Sequence, residues 1–272
     1  GVLETVRDQL TSLPIQRFDS TNGQRRLEQL FGVVTLDSFG SFSRAEVAAA
    51  GSLVDYIELT QKGKLPRLNR PERITVGSVM GIDNSTRRNL ELARTLSGEA
   101  QGSLLSVIDK TITGAGARML ATRLSEPLTN LERINDRLDA VDTLAGAHQL
   151  RENVRAVLRK CPDMARALSR LTLARGGPRD LAAVRDGLIC AHDVRDLLQV
   201  VGGDGLITEV PNLLAANTLD LGYHNVLIDL LRAALEEDLP LNVRDGGFIA
   251  PTYSNELDEL VSLRDESRKL II

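Results

Sequence analysis

The segment IDNSTRRNLEL, residues 82–92, concentrates side chains that can bind anions. Arg87 and Arg88 carry guanidinium groups, which form paired hydrogen bonds with carboxylates, phosphates or backbone carbonyls. Arg87 and Glu91 stand four residues apart in the less favourable order for a helical ion pair, which contributes at most about 0.2–0.5 kcal/mol. Arg87, Arg88 and Asn89 therefore have two interpretations: a solvated helix surface, or a clamp on carbonyls or carboxylates of a neighbouring segment.

Two glycine-containing patterns lack residues that phosphate-binding loops require. A P-loop reads GxxxxGK followed by Ser or Thr, because its backbone N–H groups and its lysine surround the phosphates. The only Gly-Lys pair, Gly63-Lys64, is followed by Leu65. Gly114-x-Gly116 begins a dinucleotide-binding fingerprint, but the third glycine of that fingerprint is missing. We interpret these glycines as a loop and a helix start.

The histidines and cysteines have no metal-binding spacing. His148, His192 and His224 are scattered, without the HExxH pair of zinc proteases. Cys161 and Cys190 are the only cysteines and lie far apart in the sequence. This pattern does not suit a disulfide framework and is typical of a cytosolic protein. The sequence accordingly predicts no catalytic, cofactor-binding or metal site in this chain.

The composition is that of a globular protein, since 42% of the 272 residues are hydrophobic and 26% are charged. No apolar run approaches the ~18 residues of a membrane-spanning helix, and no signal peptide opens the chain, so no membrane partner is expected. The net charge of −4 excludes a chain-wide basic footprint for nucleic acid. Positive charge is concentrated locally at residues 61–94, where eight Lys or Arg accompany three acidic residues.

The elements that position these residues are predicted to be mainly helices. Apolar residues recur every three or four positions from Leu131 to Leu144, which is typical of an amphipathic helix. The β-branched run ITVGSVM predicts a short strand near 74–80. Asp245-Gly246, between short apolar stretches, predicts a small hairpin near 241–250. The fold class is therefore mostly α, an irregular multi-helix domain with little strand.

Both ends of the chain interrupt helical patterns. The sequence opens on VLETVRDQL after Gly1, and it stops within RDESRKLII without a Gly, Asn or Pro to end the helix. We expect the chain to be a piece of a longer protein.

Five segments, taken in order, resemble the core (lever) domain of the bacterial MutS family of DNA mismatch-repair proteins. The segments are IDNSTRRNLEL, LLSVIDKTITGAGARMLATRLSEPL, LERINDRLDAVDTL, LTLARGGPRDL and VRDGGFIAPTYSNELDEL. The chain departs from the family at Pro251-Thr252, where a Gly usually precedes the Tyr, and at Gly114-Ala115, where Pro is common. Residues near the N-terminus resemble the end of the family's α/β connector domain.

The resemblance implies a domain organisation and a set of structural residues. Residues 1–47 would end the connector domain, 48–255 would form the core domain, and 256–272 would start the helix that leads into the DNA-gripping clamp. The motif residues expected to hold neighbouring segments together are Arg87, Arg88, Asn89, Gly116, Arg118, Arg179, Asp180, Asp245 and Gly246.

The resemblance also implies a function for the parent protein. Members of the family are homodimeric, DNA-dependent ATPases that bind mismatched duplex DNA and recruit downstream mismatch-repair factors, in the cytoplasm and associated with the nucleoid. ATP and Mg²⁺ would bind outside this chain, which has neither a P-loop nor the mismatch-reading Phe-x-Glu. The chain would be the lever that transmits conformational change between DNA sites and the ATPase domain. Arg88→Ala should then weaken ATP-induced sliding on DNA more than initial mismatch binding.

The sequence is also compatible with two alternatives. The acidic balance and the lack of an active site also suit a helical protein–protein scaffold unrelated to DNA repair. The basic stretch at 61–94 suits a chain that binds DNA by itself through phosphate contacts.

Overall fold

The computed structural model describes residues 11–73, 79–199 and 210–271. Within these residues, strand pairing is limited to two isolated antiparallel bridges. The mostly α fold predicted from the sequence is confirmed. The helices are α1 (Ser20–Phe31), α2 (Arg44–Thr60), α3 (Asn84–Asn89), α4 (Leu104–Ile108), α5 (Gly114–Ser125), α6 (Leu131–Gly146), α7 (His148–Leu158), α8 (Met164–Thr172), α9 (Pro178–Gln199), α10 (Asn212–Asp220), α11 (Asn225–Ala234) and α12 (Asn255–Ile271). No described helix is long and apolar enough to cross a membrane.

The chain divides into two compact units, Gly1–Thr75 and Val76–Ile272. In the first unit, α1 and α2 pack against each other around Leu27, Leu36 and Val54. The boundary between the connector and core domains, expected between residues 47 and 48, lies within α2. Helix α2 begins at a capping box in which Ser43 and Glu46 satisfy each other's backbone N–H groups.

Helices α1 and α2 meet at backbone contact through Gly23 and Gly51. A Cβ atom built on Gly51 would lie 2.2 Å from the Cα atom of Gly23. A Cβ atom on Gly23 would lie 2.8 Å from the carbonyl oxygen of Val47. Neither position therefore has room for a side chain. Arg26 of α1 donates to the carbonyl oxygen of Gly51 of α2 at 3.0 Å, which is a further contact between the same two helices.

Helix α9 is the long central helix of the second unit. It packs against α7, α8, α10 and α11. A buried cluster of Ala182, Leu231 and Leu235 joins it to α11. A Cβ atom on Gly187 would lie 2.6 Å from the sulfur of Met164, so α8 sits close against the middle of α9.

Helix α6 forms where the apolar period predicts it, but its apolar face is partly open. Asn130 caps the helix by accepting from the N–H of Arg133 at 2.9 Å. Leu131, Leu138 and Val141 remain 75%, 58% and 64% exposed. The apolar period thus predicts the helix, but it does not predict which element packs against the apolar face of that helix.

Each of the two predicted strand regions contributes one residue to an isolated bridge among the described residues. Residues 74–78 of the predicted strand near 74–80 lie outside the described residues, and Val79 forms a bridge with Leu128. In the predicted hairpin near 241–250, Ile249 pairs with Leu235, so the first arm lies before residue 241. The intervening loop turns at a 3-10 helix, Val243–Asp245.

That loop does not form a tight two-residue hairpin turn at Asp245-Gly246, because Asp245 stabilises the 3-10 helix in its place. Its carboxylate accepts from the backbone N–H of Asn242 at 3.3 Å, which stabilises the 3-10 helix. Gly246 has φ 68° and ψ −172°, and ψ is far from the value a type I′ turn needs. The left-handed φ still explains a glycine at this position.

Candidate functional site: links between helices

Helix α5 begins with a threonine cap that leaves little room at Gly116. The hydroxyl of Thr113 accepts from the N–H of Gly116 at 3.0 Å. A Cβ atom on Gly116 would lie 3.0 Å from that same hydroxyl oxygen and 3.5 Å from the Cβ atom of Thr111. Gly116 therefore belongs to the start of the helix that presents Arg118.

Arg118 joins α5 to α8 through Asp163. Its guanidinium donates two hydrogen bonds to the Asp163 carboxylate, at 2.9 and 3.1 Å. Asp163 also caps α8 by accepting from the N–H of Arg166 at 3.3 Å. The hydrogen bond with Arg118 lowers the pKa of Asp163, so this carboxylate is ionised at neutral pH.

Arg170 and Asp180 join the other end of α8 to α9. The Nε atom of Arg170 donates to Asp180 at 2.9 Å, and its Nη2 atom contacts the same carboxylate oxygen. The second oxygen of Asp180 accepts from the N–H of Gly177 at 3.0 Å and caps the start of α9. The hydrogen bond with Arg170 lowers the pKa of Asp180. Helix α8 is thus held at both ends, to α5 and to α9.

Arg179 extends the series of links to the segment after α11. Its Nε atom donates to the carbonyl oxygen of Leu239 at 3.0 Å. A Cβ atom on Gly177 would lie 3.1 Å from the carbonyl oxygen of Leu241, so this segment runs close to the start of α9. Arg118, Arg179 and Asp180, three of the predicted residues, therefore act in one connected set of contacts.

The other predicted residues lie apart from that set. Arg87 donates through Nε to the carbonyl oxygen of Ile82 at 3.1 Å, a local contact at the start of its own helix. Arg88 and Asn89 are exposed, and their side chains make no hydrogen bond or ion pair with any described residue. Asp245 and Gly246 shape the loop between α11 and α12.

Sequence reasoning did not identify Asp163, Arg170 and Arg195. Asp163 had a local signal, since an Asp immediately before a helical pattern is a typical N-cap. Arg195 had none, yet its side chain is only 2% exposed. Its guanidinium lies 3.7 Å from the centre of the Tyr223 ring and donates to the carbonyl of Gly222. This contact anchors the C-terminal half of α9 to the connection between α10 and α11.

The chemistry of this arrangement is that of charge-paired connections between helices. The carboxylates of Asp163 and Asp180 are both engaged by guanidinium groups and by backbone N–H groups. No group of three or more His, Cys, Asp or Glu in the described ranges is placed to hold a metal ion. The contacts that the structure shows at this site are links between helices.

Comparison with known proteins gives matches over both units. The family model for MutS domain II matches residues 2–69, and that for MutS domain III matches residues 85–271. The DNA mismatch repair protein MutS of Cereibacter sphaeroides is 50% identical over 269 residues. The proteins of the same name from Roseobacter denitrificans and Rhizobium meliloti are 52% identical over 262 residues and 48% identical over 258 residues.

These matches cover 99%, 96% and 95% of this chain, but only 30%, 29% and 28% of the relatives' own length. The chain thus spans a little under a third of the curated relatives it matches. Since the domain III model covers more than half of the chain, the family is established. The chain belongs to the MutS family, with residues of domain II followed by residues of domain III.

Proposed function

We propose that this chain is the lever segment of a DNA mismatch-recognition ATPase. It transmits conformational change between the mismatch-binding and clamp domains on one side and the ATPase domain on the other. In the domain organisation that we propose, the first unit is the end of the connector domain and the second is the core domain. Helix α12 leads from the core towards the clamp.

The observation that supports this role is the attachment of α8 at both of its ends. A segment that couples two distant sites must move between discrete arrangements as a body. Asp163 ties α8 to α5, Arg170 ties α8 to α9, and Arg179 ties α9 to the segment after α11. Displacement of one of these helices is therefore passed to the others.

The remaining parts of the proposal concern the full-length parent. ATP and Mg²⁺ bind in its ATPase domain, mismatched duplex DNA binds to its mismatch and clamp domains, and the active form is a homodimer. The parent acts on the nucleoid in the cytoplasm and engages downstream repair factors. The present segment contributes no catalytic residue to these steps. The family membership and the absence of a P-loop from the sequence support this division.

Arg170→Ala in the full-length parent tests the lever role. This change breaks the link to α9 but leaves the caps made by Asp163 and Asp180 in place. Arg175→Ala is the matched control, because Arg175 is exposed and its side chain has no hydrogen bond or ion pair with a described residue. The two readouts are affinity for a mismatched duplex, by fluorescence anisotropy, and the rate of ATP-induced release from that mismatch.

We expect Arg170→Ala to slow ATP-induced release several-fold while mismatch affinity stays near that of the control. Equal losses in both readouts would indicate a general folding defect and contradict the proposal. Release and affinity that both match the Arg175→Ala control would also contradict it.

A further inference from the structure

A surface groove of about 600 Å³ lies beside α3 in the second unit. Its walls come from α3, from the turns that follow it, and from the C-terminal end of α5. The lining residues that carry the argument are Arg87, Arg88, Leu92, Arg94, Leu96 and Ser125.

Three guanidinium groups line this groove, and none of them is paired with a carboxylate of a described residue. Arg87 and Arg94 each use one donor on a backbone carbonyl, of Ile82 at 3.1 Å and of Gly98 at 2.8 Å. Arg88 uses none within the described ranges. No described Asp or Glu lies within ion-pair distance of any of the three. Since a guanidinium has five N–H donors, most of the donors in this groove make no hydrogen bond to the part of the chain that the structure describes.

This set differs from the arginines of the helix links. Arg118 and Arg170 are each paired with a carboxylate in the same unit. Glu91, the acidic residue nearest in sequence to the groove arginines, turns its carboxylate to the N–H of Leu96 at 2.5 Å. The groove therefore presents positive charge that no described carboxylate of the second unit neutralises.

The rest of the lining favours a peptide over a nucleic acid. Leu92, Ala93 and Leu96 give the groove an apolar part of its lining, and Leu96 is 56% exposed. None of the lining residues is aromatic, so a single strand would find no surface on which to stack its bases. A duplex backbone would use the positive charge but would leave the apolar lining residues uncovered. A segment that alternates carboxylates with apolar side chains matches both features.

We propose that this groove binds an acidic segment of the full-length parent protein, lying outside the present chain. Carboxylates of the segment accept from Arg87, Arg88 and Arg94, and its apolar side chains cover Leu96. The inference rests on the proposed function in one respect, since the segment belongs to the parent. In that case the two arginines of the segment IDNSTRRNLEL, Arg87 and Arg88, bind a neighbouring part of the same protein.

Site-specific cross-linking of the purified full-length parent tests this inference. The photoreactive residue p-benzoylphenylalanine replaces Ser97, which lies in the groove lining. The same residue at Lys160, an exposed position outside the lining, is the positional control. After irradiation, mass spectrometry identifies the cross-linked peptide. We expect a peptide of the parent that contains Asp or Glu beside apolar residues.

Charge variants then test the chemistry of recognition. Arg88→Glu should lower the yield of the cross-link from Ser97 about tenfold, whereas Arg88→Lys should retain most of it. Arg133→Glu makes the same charge change on an exposed part of α6 and should leave the yield unchanged.

Three outcomes would overturn the inference. They are a cross-link to added DNA in place of a peptide, a peptide spectrum identical to that of the Lys160 control, and a yield insensitive to Arg88→Glu. Slowed ATP-induced release in Arg170→Ala, found together with any of these, would leave the lever role standing. The two proposals therefore fail separately.

Discussion

Replacing Gly51 by alanine should separate α1 from α2. The added Cβ atom would lie 2.2 Å from the Cα atom of Gly23, whereas carbon atoms in contact sit about 3.5–4.0 Å apart. The helices must therefore move apart by more than about 1 Å, because the obstructing atom is backbone and cannot rotate away. The movement loosens the packing around Leu27 and Val54.

The expected cost follows from two opposing effects. Overpacking a core typically destabilises by about 1–3 kcal/mol, and a clash with backbone belongs at the upper end. Alanine inside a helix regains about 1 kcal/mol relative to glycine. Gly51→Ala should therefore lower the free energy of unfolding of the first unit by about 2 kcal/mol.

Hydrogen exchange read by mass spectrometry measures this effect within the first unit. We expect faster exchange in peptides from α1 and α2, with α9 unchanged. Gly146→Ala is the matched control, because nothing lies within 4 Å of its added Cβ atom. That variant should be as stable as the parent sequence or slightly more stable. Exchange in Gly51→Ala that equals the control would refute the backbone contact between α1 and α2.

Three further predictions concern the second unit and the basic stretch. The lowered pKa of Asp180 means that its contribution to stability is present above the unfolded value of about 3.9 and is lost as the pH falls through the folded pKa. Asp180→Asn should therefore flatten the acid limb of a stability–pH curve, and an unaltered limb would argue against the Arg170 contact. Leu231→Ala should cost about 2–5 kcal/mol in urea unfolding, whereas Val226→Ala, at an 86% exposed position, should change stability by less than about 0.5 kcal/mol. The isolated chain should bind duplex DNA weakly through residues 61–94, with log K falling against log[salt] by a slope of about −0.9 for each phosphate contacted, and a clear preference for heteroduplex in anisotropy would contradict this.

The helices were predictable because their signals are local. The apolar period from Leu131 places α6, and the glycines at 114 and 116 mark the start of α5. The hairpin near 241–250 was less predictable, because the Asp245 carboxylate selects a 3-10 turn that the Asp-Gly pair alone does not indicate. Pairing of Leu235 with Ile249 depends on the packing of α11, which lies outside the turn.

The candidate site was predictable only in part, and the reason is distance along the chain. Arg118 and Asp163 are 45 residues apart, and Arg179 contacts the carbonyl of Leu239 across 60 residues. A motif can indicate one partner of such a pair, but only the packed helices identify the other. The burial of Arg195 could not be predicted for a further reason, since a charged residue in a helix is ordinarily exposed.

The length of α9 determines how far a small tilt at the Asp180 contact displaces the Arg195 contact. Its 22 residues span about 33 Å, with Asp180 held near one end and Arg195 held towards the other. Arg195 lies 15 residues beyond Asp180, or about 22 Å along the helix, so a tilt of about 5° at the Asp180 end would displace Arg195 by about 2 Å, a large part of the length of a hydrogen bond. An angular change too small to disturb the packing around Ala182 is thus enough to make or break the contact between Arg195 and Gly222.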